Sequence, residues 1–306
     1  MATNTYILCP GQGAQHVGMG RDFFEKSPEA KAIFDRADAA LGYAISQLCF
    51  EGPEDRLNQT DASQPAIFAT SVACHAAAKA AGKLGDGPFV YAGLSLGEYT
   101  ALHLAGVFTF EEGLRLVAAR GRLMQAAAVG TPSSMVAIMG ASEAEIDTLC
   151  ANNAAGEVLV PANYNAAGQI VVSGTKAACE RINAAAGAAG FRSIPLVVAG
   201  AFHSPVMQPA ADRMAEELEQ ATLRDPVEPV YANVTAERHG NAESIKRLLV
   251  EQIVKPVRWE QTMRQVASET EARFVELAPG KVLTGLLKKA NRRANVLTLS
   301  AADALS

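Results

Sequence analysis

The pentapeptide Gly93-Leu94-Ser95-Leu96-Gly97 contains the residues that most clearly suggest chemistry. It fits Gly-x-Ser-x-Gly. The apolar run Phe89–Gly93 predicts a strand before it, and Ser95–Gly106 predicts a helix directly after it. A serine on such a sharp turn presents its hydroxyl away from the backbone, and the N–H groups at the helix start can stabilise an oxyanion. The alternative is a helix N-cap serine between packing glycines. The strand-to-helix junction favours a nucleophile.

A serine nucleophile needs a general base at neutral pH, and the chain has five histidines. Four have ordinary settings: His16 follows a glycine-rich loop, His75 and His103 lie in alanine-rich helices, and His239 lies in a polar stretch that predicts a solvated turn. His203 follows an apolar run and precedes a Ser-Pro pair, so it is predicted at a strand end near a helix start, where α/β sheets form sites. From its position alone, a purely structural role for His203 stays open as the alternative.

Strands and helices alternate along most of the chain, which predicts an α/β fold with a mostly parallel sheet flanked by helices on both faces. The predicted strands of this sheet are Tyr6–Cys9, Phe89–Gly93, Val230–Val234, Arg273–Leu277 and Asn295–Leu299. The predicted helices are Gln64–Ala81, Ser95–Gly106, one opened by Thr109, Met207–Ala221, Glu243–Val254, Glu260–Ser268 and Val282–Ala290.

The segment 131–197 has a βαββαβ rhythm of its own, which is the order of a ferredoxin-like unit. Its predicted elements are Met135–Met139, a helix capped by Ser142, Val158–Pro161, Gln169–Ser173, Lys176–Ala189 and Phe191–Leu196. We therefore predict a large catalytic α/β domain (1–130 and 198–306) with a smaller ferredoxin-like subdomain (131–197) inserted into it.

Bulk composition excludes several classes of function. The 306 residues carry a formal charge of −5, which disfavours general nucleic-acid binding. The N-terminus lacks a signal-peptide pattern, and no apolar run reaches the roughly 18 residues of a membrane-spanning helix. Five scattered cysteines without a Cys-x-x-Cys pair predict neither a disulfide framework nor a zinc site. We expect a cytoplasmic, monomeric protein.

Three motifs together resemble the malonyl-CoA:acyl carrier protein transacylase family, which includes the acyltransferase domains of fatty-acid and polyketide synthases. They are Pro10–Gln15 (PGQGAQ), Gly93–Tyr99 (GLSLGEY) and Ala201–Met207 (AFHSPVM). They occur in the family's order, the resemblance covers the whole chain, and the inserted ferredoxin-like unit is a family feature. Three motifs in register are much more specific than Gly-x-Ser-x-Gly alone.

The resemblance implies roles for individual residues. Ser95 would be the acylated nucleophile and His203 its general base, with no carboxylate partner. The main-chain carbonyl of Gln252 would orient the histidine instead. The backbone N–H groups of Gln12 and Leu96 would form the oxyanion hole.

The resemblance also implies how the acyl group is bound. Arg120 would pair with the free carboxylate of malonate, which a guanidinium fork suits. Asn163 matches an asparagine near the mouth of the site. The bulk of Phe202 is typical of members that accept malonyl and not methylmalonyl groups. One departure is Leu94, because the family usually has histidine before the nucleophile.

The implied reaction is ping-pong transfer of malonyl from malonyl-CoA to an acyl carrier protein, without a metal or redox cofactor. Two alternatives belong to other classes: a serine thioesterase or hydrolase, which would use water as acceptor, and a non-enzymatic carrier-binding protein. A transacylase for another acyl group also stays open. Because carrier proteins are acidic, we expect the cationic cluster Lys288–Arg293 to contribute to docking.

Overall fold

A computed structural model describes residues 3–269 and 271–305. The strands are β1 Thr5–Cys9, β2 Phe89–Gly93, β3 Ser133–Met139, β4 Leu159–Ala166, β5 Gln169–Thr175, β6 Arg192–Pro195, β7 Val230–Tyr231, β8 Arg273–Glu276 and β9 Val296–Thr298. The helices are α1 Arg21–Lys26, α2 Pro28–Leu41, α3 Ile45–Glu51, α4 Glu54–Leu57, α5 Thr60–Ala80, α6 Leu96–Leu104, α7 Phe110–Gly130, α8 Glu143–Asn153, α9 Lys176–Ala188, α10 Gln208–Gln220, α11 Ala242–Val254, α12 Trp259–Val266 and α13 Val282–Ala290. Short 3₁₀ turns cover Pro205–Met207 and Ala302–Leu305.

The larger sheet has five parallel strands in the order β7-β2-β1-β8-β9. All five residues of β1 are buried, as expected for a strand covered on both faces. Parallel strands bring their carboxyl ends to one edge of the sheet, so the loops after β1, β2 and β7 meet there. The predicted fold class is confirmed.

The smaller sheet has four strands in the order β4-β5-β3-β6, and every neighbouring pair is antiparallel. Helices α8 and α9 pack on it around a core of their own that includes Ile146, Ile170 and Ile182. This is the strand order of a ferredoxin-like unit. A bridge between Asn163 of β4 and Val257 ties the small sheet to the segment before α12.

Local signals explain where several helices begin. Ser142 and Glu145 form the capping box predicted for α8, and Thr109 Oγ1 accepts from Glu112 N at the start of α7. Three predictions of extent were wrong. The strand predicted over Val158–Pro161 continues to Ala166 as β4. The strand predicted over Val230–Val234 ends at Tyr231, and helix α5 begins at Thr60, four residues before its predicted start at Gln64. Its Pro65 thus lies inside the helix, in the second turn, where the missing N–H removes one i→i−4 backbone hydrogen bond.

The sequence motifs did not predict helices α1 to α4 before α5. They pack over α5 and carry the aromatic cluster Phe24, Phe34 and Phe50, whose ring centroids lie 5.0–6.1 Å apart. None of the helices within 3–269 and 271–305 is long and apolar enough to cross a membrane.

Candidate active site

Ser95 lies on the tight turn between β2 and α6. Its φ of 53° is positive, a conformation that non-glycine residues rarely adopt. The flanking glycines permit this turn, because a Cβ on Gly93 would lie 1.9 Å from the carbonyl of Gly97, and one on Gly97 would lie 2.1 Å from Cys9 O. The Ser95 side chain makes no capping hydrogen bond to α6. Ser95 thus occupies the N-cap position of α6 without using its hydroxyl as a cap, which leaves the hydroxyl available for other contacts.

His203 contacts Ser95 although it lies 108 residues later in the sequence, after the small subdomain. Its Nε2 lies 2.8 Å from Ser95 Oγ, and its Nδ1 lies 2.6 Å from the carbonyl oxygen of Gln252 on α11. Because a carbonyl only accepts, Nδ1 carries the proton, and Nε2 is free to accept from the serine hydroxyl. The geometry is that of a nucleophile paired with an oriented base.

The His203 imidazole is 4% exposed. Burial, and next the positive charge of Arg120, lower the pKa of His203 to about 4, while the bond to the Gln252 carbonyl acts in the opposite direction. The ring is therefore neutral, and able to accept a proton, at neutral pH.

Arg120, on α7, is 1% exposed and close to the serine. Its Nη2 donates to Ser95 Oγ at 3.1 Å and to Gln252 Oε1 at 2.8 Å, and its Nη1 donates to Gln64 Oε1 at 2.8 Å. Its guanidinium carbon lies 5.5 Å from the centroid of the Tyr99 ring. Burial lowers the pKa of Arg120. No carboxylate of the described chain contacts it, so an anionic ligand would supply the missing counter-charge.

These side chains open onto one cavity of about 640 Å³ between the two sheets. Of the predicted site residues, those that line it are Gln12, Ser95, Arg120, Asn163, Phe202 and His203. We call the lining residues Ser95, Arg120 and His203, together with Gln252 directly behind them, the polar floor. The mouth comprises the lining residues Val197 and Val282, which are 105% and 53% exposed, and Leu286 beside Val282 on α13.

The remaining predicted residues are near but do not line the cavity. Gln252 is fully buried behind Ser95, and the Leu96 side chain is also fully buried, so only its backbone is relevant. The N–H groups of Gln12 and Leu96 find no acceptor among the described residues. Both follow strands of the large sheet, after β1 and β2. The Phe202 carbonyl accepts from Ser173 Oγ at 2.6 Å, which fixes the loop before His203.

Comparison with known proteins agrees with this arrangement. A model of the acyl transferase domain matches residues 5–303. The malonyl CoA-acyl carrier protein transacylase of Escherichia coli K12 is 42% identical over 300 residues, which are 98% of this chain and 96% of that protein. The Bacillus subtilis 168 protein of the same name is 40% identical over 96% of this chain and 92% of its own length.

The chain belongs to the malonyl CoA-acyl carrier protein transacylase family.

Solved structures of this transacylase family match the whole fold. The Coxiella burnetii malonyl CoA-acyl carrier protein transacylase superposes with a TM-score of 0.95 at 38% identity, over 100% of this chain and 96% of that one. A type II PKS acyl-carrier protein in complex with its malonyl-transacylase gives a TM-score of 0.94 at 38% identity, over 99% and 98% of the two chains.

Sequence reasoning missed a group of buried residues behind the polar floor of this transacylase. It placed His239 in a solvated turn, and this was wrong: the side chain is 0% exposed and contacts Glu98. Asn233 was also missed, although its Oδ1 accepts from Ser95 N at 2.6 Å. Gln64, which holds Arg120, was predicted only as part of a helix. The one available signal was Glu98, an acidic residue in the otherwise apolar first turn of α6.

Leu94, the departure from the family pattern, lines the cavity beside Ser95. Its backbone N–H donates to Cys9 O, and its carbonyl accepts from Gly97 N. The turn that presents Ser95 therefore forms with leucine at this position.

Proposed function

We propose that this protein transfers a malonyl group from malonyl-CoA to the phosphopantetheine thiol of an acyl carrier protein, and so supplies extender units for fatty-acid or polyketide synthesis. The observation that carries the proposal is the contact of Ser95 Oγ with both His203 Nε2 and Arg120 Nη2 at the buried end of one cavity. This arrangement combines a nucleophile, its base and a cation able to bind the malonyl carboxylate.

In the first half-reaction Ser95 Oγ attacks the thioester carbonyl, and its proton passes to His203 Nε2. The carbon–sulfur bond then breaks, and His203 returns the proton to the departing coenzyme A thiolate. In the second half-reaction the carrier thiol gives its proton to His203 and attacks the malonyl-Ser95 ester, and the serine oxygen leaves with that proton. His203 can both accept and return the proton at Nε2, because the bond from its Nδ1–H to Gln252 O fixes the tautomer and the ring orientation.

The oxyanion of each tetrahedral intermediate would be bound by the N–H groups of Gln12 and Leu96. Both are free of acceptors among residues 3–269 and 271–305, and Leu96 is the first residue of α6, where the helix dipole is positive. Backbone donors of this kind are worth about 3–4 kcal/mol of transition-state stabilisation.

Arg120 would select the malonyl group. Its guanidinium is buried and its donors reach only neutral acceptors in the described chain, so exchange of the Ser95 contact for a substrate carboxylate gains a charge-assisted pair. An acetyl group offers no such partner. The ring of Phe202 in the same cavity supports the expectation that bulkier α-substituted malonyl groups are disfavoured.

The mouth suits a carrier protein. Helix α13 supplies Val282 and Leu286 to the cavity wall and carries Lys288 and Lys289 in its last turn. An acidic partner seated there could pass a long thiol-bearing arm to Ser95. We propose that this surface contributes to docking.

No step requires a metal or a redox cofactor, because coenzyme A arrives as part of the substrate.

The five cysteines are buried and unpaired. We therefore propose a cytoplasmic location, which fractionation of cells producing the protein would test.

The deciding experiment is intact-protein mass spectrometry after mixing with malonyl-CoA. Wild type should gain about 86 Da, one malonyl group, and Ser95→Ala should gain none, because only the serine can form the ester. Holo acyl carrier protein should then discharge the adduct. Free malonate without carrier discharge would indicate a hydrolase, and an absence of both adduct and turnover would indicate a binding protein.

A further inference from the structure

A carboxylate–imidazole pair is buried directly behind the polar floor. Glu98 Oε1 lies 2.6 Å from Nε2 of His239, and the two side chains are 1% and 0% exposed. Glu98 lies in the first turn of α6, one turn after Ser95, and His239 follows β7, 141 residues later. A buried carboxylate is costly unless hydrogen bonds surround it, so this pair needs a reason beyond packing.

The second carboxylate oxygen contacts the residue that orients the base. Glu98 Oε2 accepts from Gln252 Nε2 at 2.6 Å, and Gln252 Oε1 accepts from Arg120 at 2.8 Å. The amide thus has an acceptor at its nitrogen and a cation at its oxygen, which leaves one orientation. With its side chain fixed, Gln252 presents its backbone carbonyl to His203 Nδ1.

The same oxygen is linked to the backbone of the nucleophile from two sides. Gln252 Nε2 also donates to Ser95 O at 2.9 Å. Asn233 N lies 3.3 Å from Glu98 Oε2, and Asn233 Oδ1 accepts from Ser95 N at 2.6 Å. The amide and the carbonyl of a residue with φ of 53° are therefore both restrained through partners of Glu98.

We propose that Glu98 and His239 are a positioning pair: His239 fixes the Glu98 carboxylate, which fixes Gln252 and Asn233, and these hold His203 and Ser95 in reacting geometry. Neither member contacts the substrate. The inference rests on the proposed malonyl transfer, because its effect is on the rate at which Ser95 is acylated. In the described chain His239 Nδ1 has no partner, so the contact with Glu98 is the polar role of this ring.

The test compares His239→Leu, which removes the donor to Glu98, with His239→Gln, whose amide nitrogen can replace Nε2. Thr100→Val is the matched control, since Thr100 is buried on α6 and its Oγ1 contacts no polar group of the described residues. Quench-flow mass spectrometry measures the acylation rate at saturating malonyl-CoA and its half-saturation concentration. NMR of ¹⁵N-histidine-labelled protein follows the Nδ1–H of His203, assigned with His203→Ala.

We expect His239→Leu to acylate about 10- to 100-fold more slowly, a part of the roughly 10²–10⁴-fold that general-base catalysis contributes, with half-saturation changed less than about threefold. The His203 Nδ1–H signal should shift or broaden. His239→Gln should restore both, and Thr100→Val should match wild type. Should His239→Leu not fold, His239→Asn, whose amide is too short to reach Glu98, replaces it.

A folded His239→Leu or His239→Asn with the wild-type rate and an unchanged His203 signal would overturn the inference. So would a rate loss that His239→Gln does not recover while it folds as wild type does. In both cases wild type still forms the malonyl adduct. Failure of the wild type itself to form the adduct would instead refute the proposed function.

Discussion

The polar floor and the mouth of the cavity are built in opposite ways. In the floor, Ser95, Arg120, His203 and Gln252 are all at least 91% buried and are linked by hydrogen bonds of 2.6–3.1 Å. In the mouth, Val197 and Val282 are exposed hydrophobic side chains, and the nearby end of α13 carries exposed lysines. The floor is therefore as buried as a protein core although its side chains are polar. The mouth combines exposed apolar side chains with nearby charges, as protein interfaces do.

This difference separates the two tasks of a transferase. The floor can hold a few atoms within tenths of an ångström because each polar group has a fixed partner, which is what a reaction centre requires. The mouth can contact partners of different size, since coenzyme A and a carrier protein deliver the same thiol-bearing arm. Changes to the floor should therefore affect both half-reactions. Charge changes on the surface beside the mouth should affect chiefly the half-reaction of the acidic carrier protein.

The largest effect that sharpens this comparison is expected at Arg120. Arg120→Ala should lower kcat/KM for malonyl-CoA roughly 30-fold to several thousandfold, because the substrate carboxylate loses its partner in a buried site. This factor corresponds to a loss of about 2–5 kcal/mol of transition-state stabilisation. Transfer from acetyl-CoA should fall much less, because it loses only the contacts of Arg120 with Ser95 and Gln252 and no substrate carboxylate. Arg120→Lys, which retains the charge without the fork, should be intermediate. Steady-state kinetics with both donors provides the measurement, and an equal loss for both would assign Arg120 a structural role.

The pH dependence of acylation provides a second test of the buried floor. The base must be neutral, and the lowered pKa of His203, about 4, means that kcat/KM should be level above about pH 5 and fall about tenfold per unit below pH 4. Malonate bound to Arg120 offsets one cause of that lowering, so the pKa of His203 seen in kcat should be higher. Single turnovers after brief pH jumps avoid acid unfolding. A break near 6.5, the usual pKa of histidine, would contradict a buried base.

Much of the fold could be predicted because its signals are local. The strand before Ser95, the capping box at Ser142 and the βαββαβ rhythm of 131–197 depend on neighbouring residues. The strand predicted to Val234 failed for a non-local reason: only Val230 and Tyr231 find a partner on β2, and the chain then turns so that Asn233 can bond to Ser95. Helices α1 to α4 were not predicted, although Ser27 and Pro28 form a serine cap and first-turn proline that do open α2.

The candidate site also contains residues with local sequence signals and residues whose roles depend on non-local contacts. Ser95 was predicted from its setting in the sequence, and the roles of His203 and Arg120 through the family resemblance. Glu98 and His239 were not, because 141 residues separate them and burial, which decides the role of both, is a property of the packed molecule. The sequence around His239 is polar, and polar stretches are mostly exposed. Only the fold shows that this one lies under the nucleophile.

The smallest expected effect tests the mouth. Reversing Lys288 and Lys289 to glutamate should raise the KM for the carrier about three- to tenfold, mostly at low salt, because charges at an interface rim act chiefly on association. The KM for malonyl-CoA and the rate of Ser95 acylation should not change. The matched control reverses Lys79 and Lys176, two exposed lysines that do not line the cavity. Unchanged carrier kinetics would remove α13 from the docking surface. An equal rise for malonyl-CoA would mean that both thiol-bearing partners bind the same charged surface at the mouth.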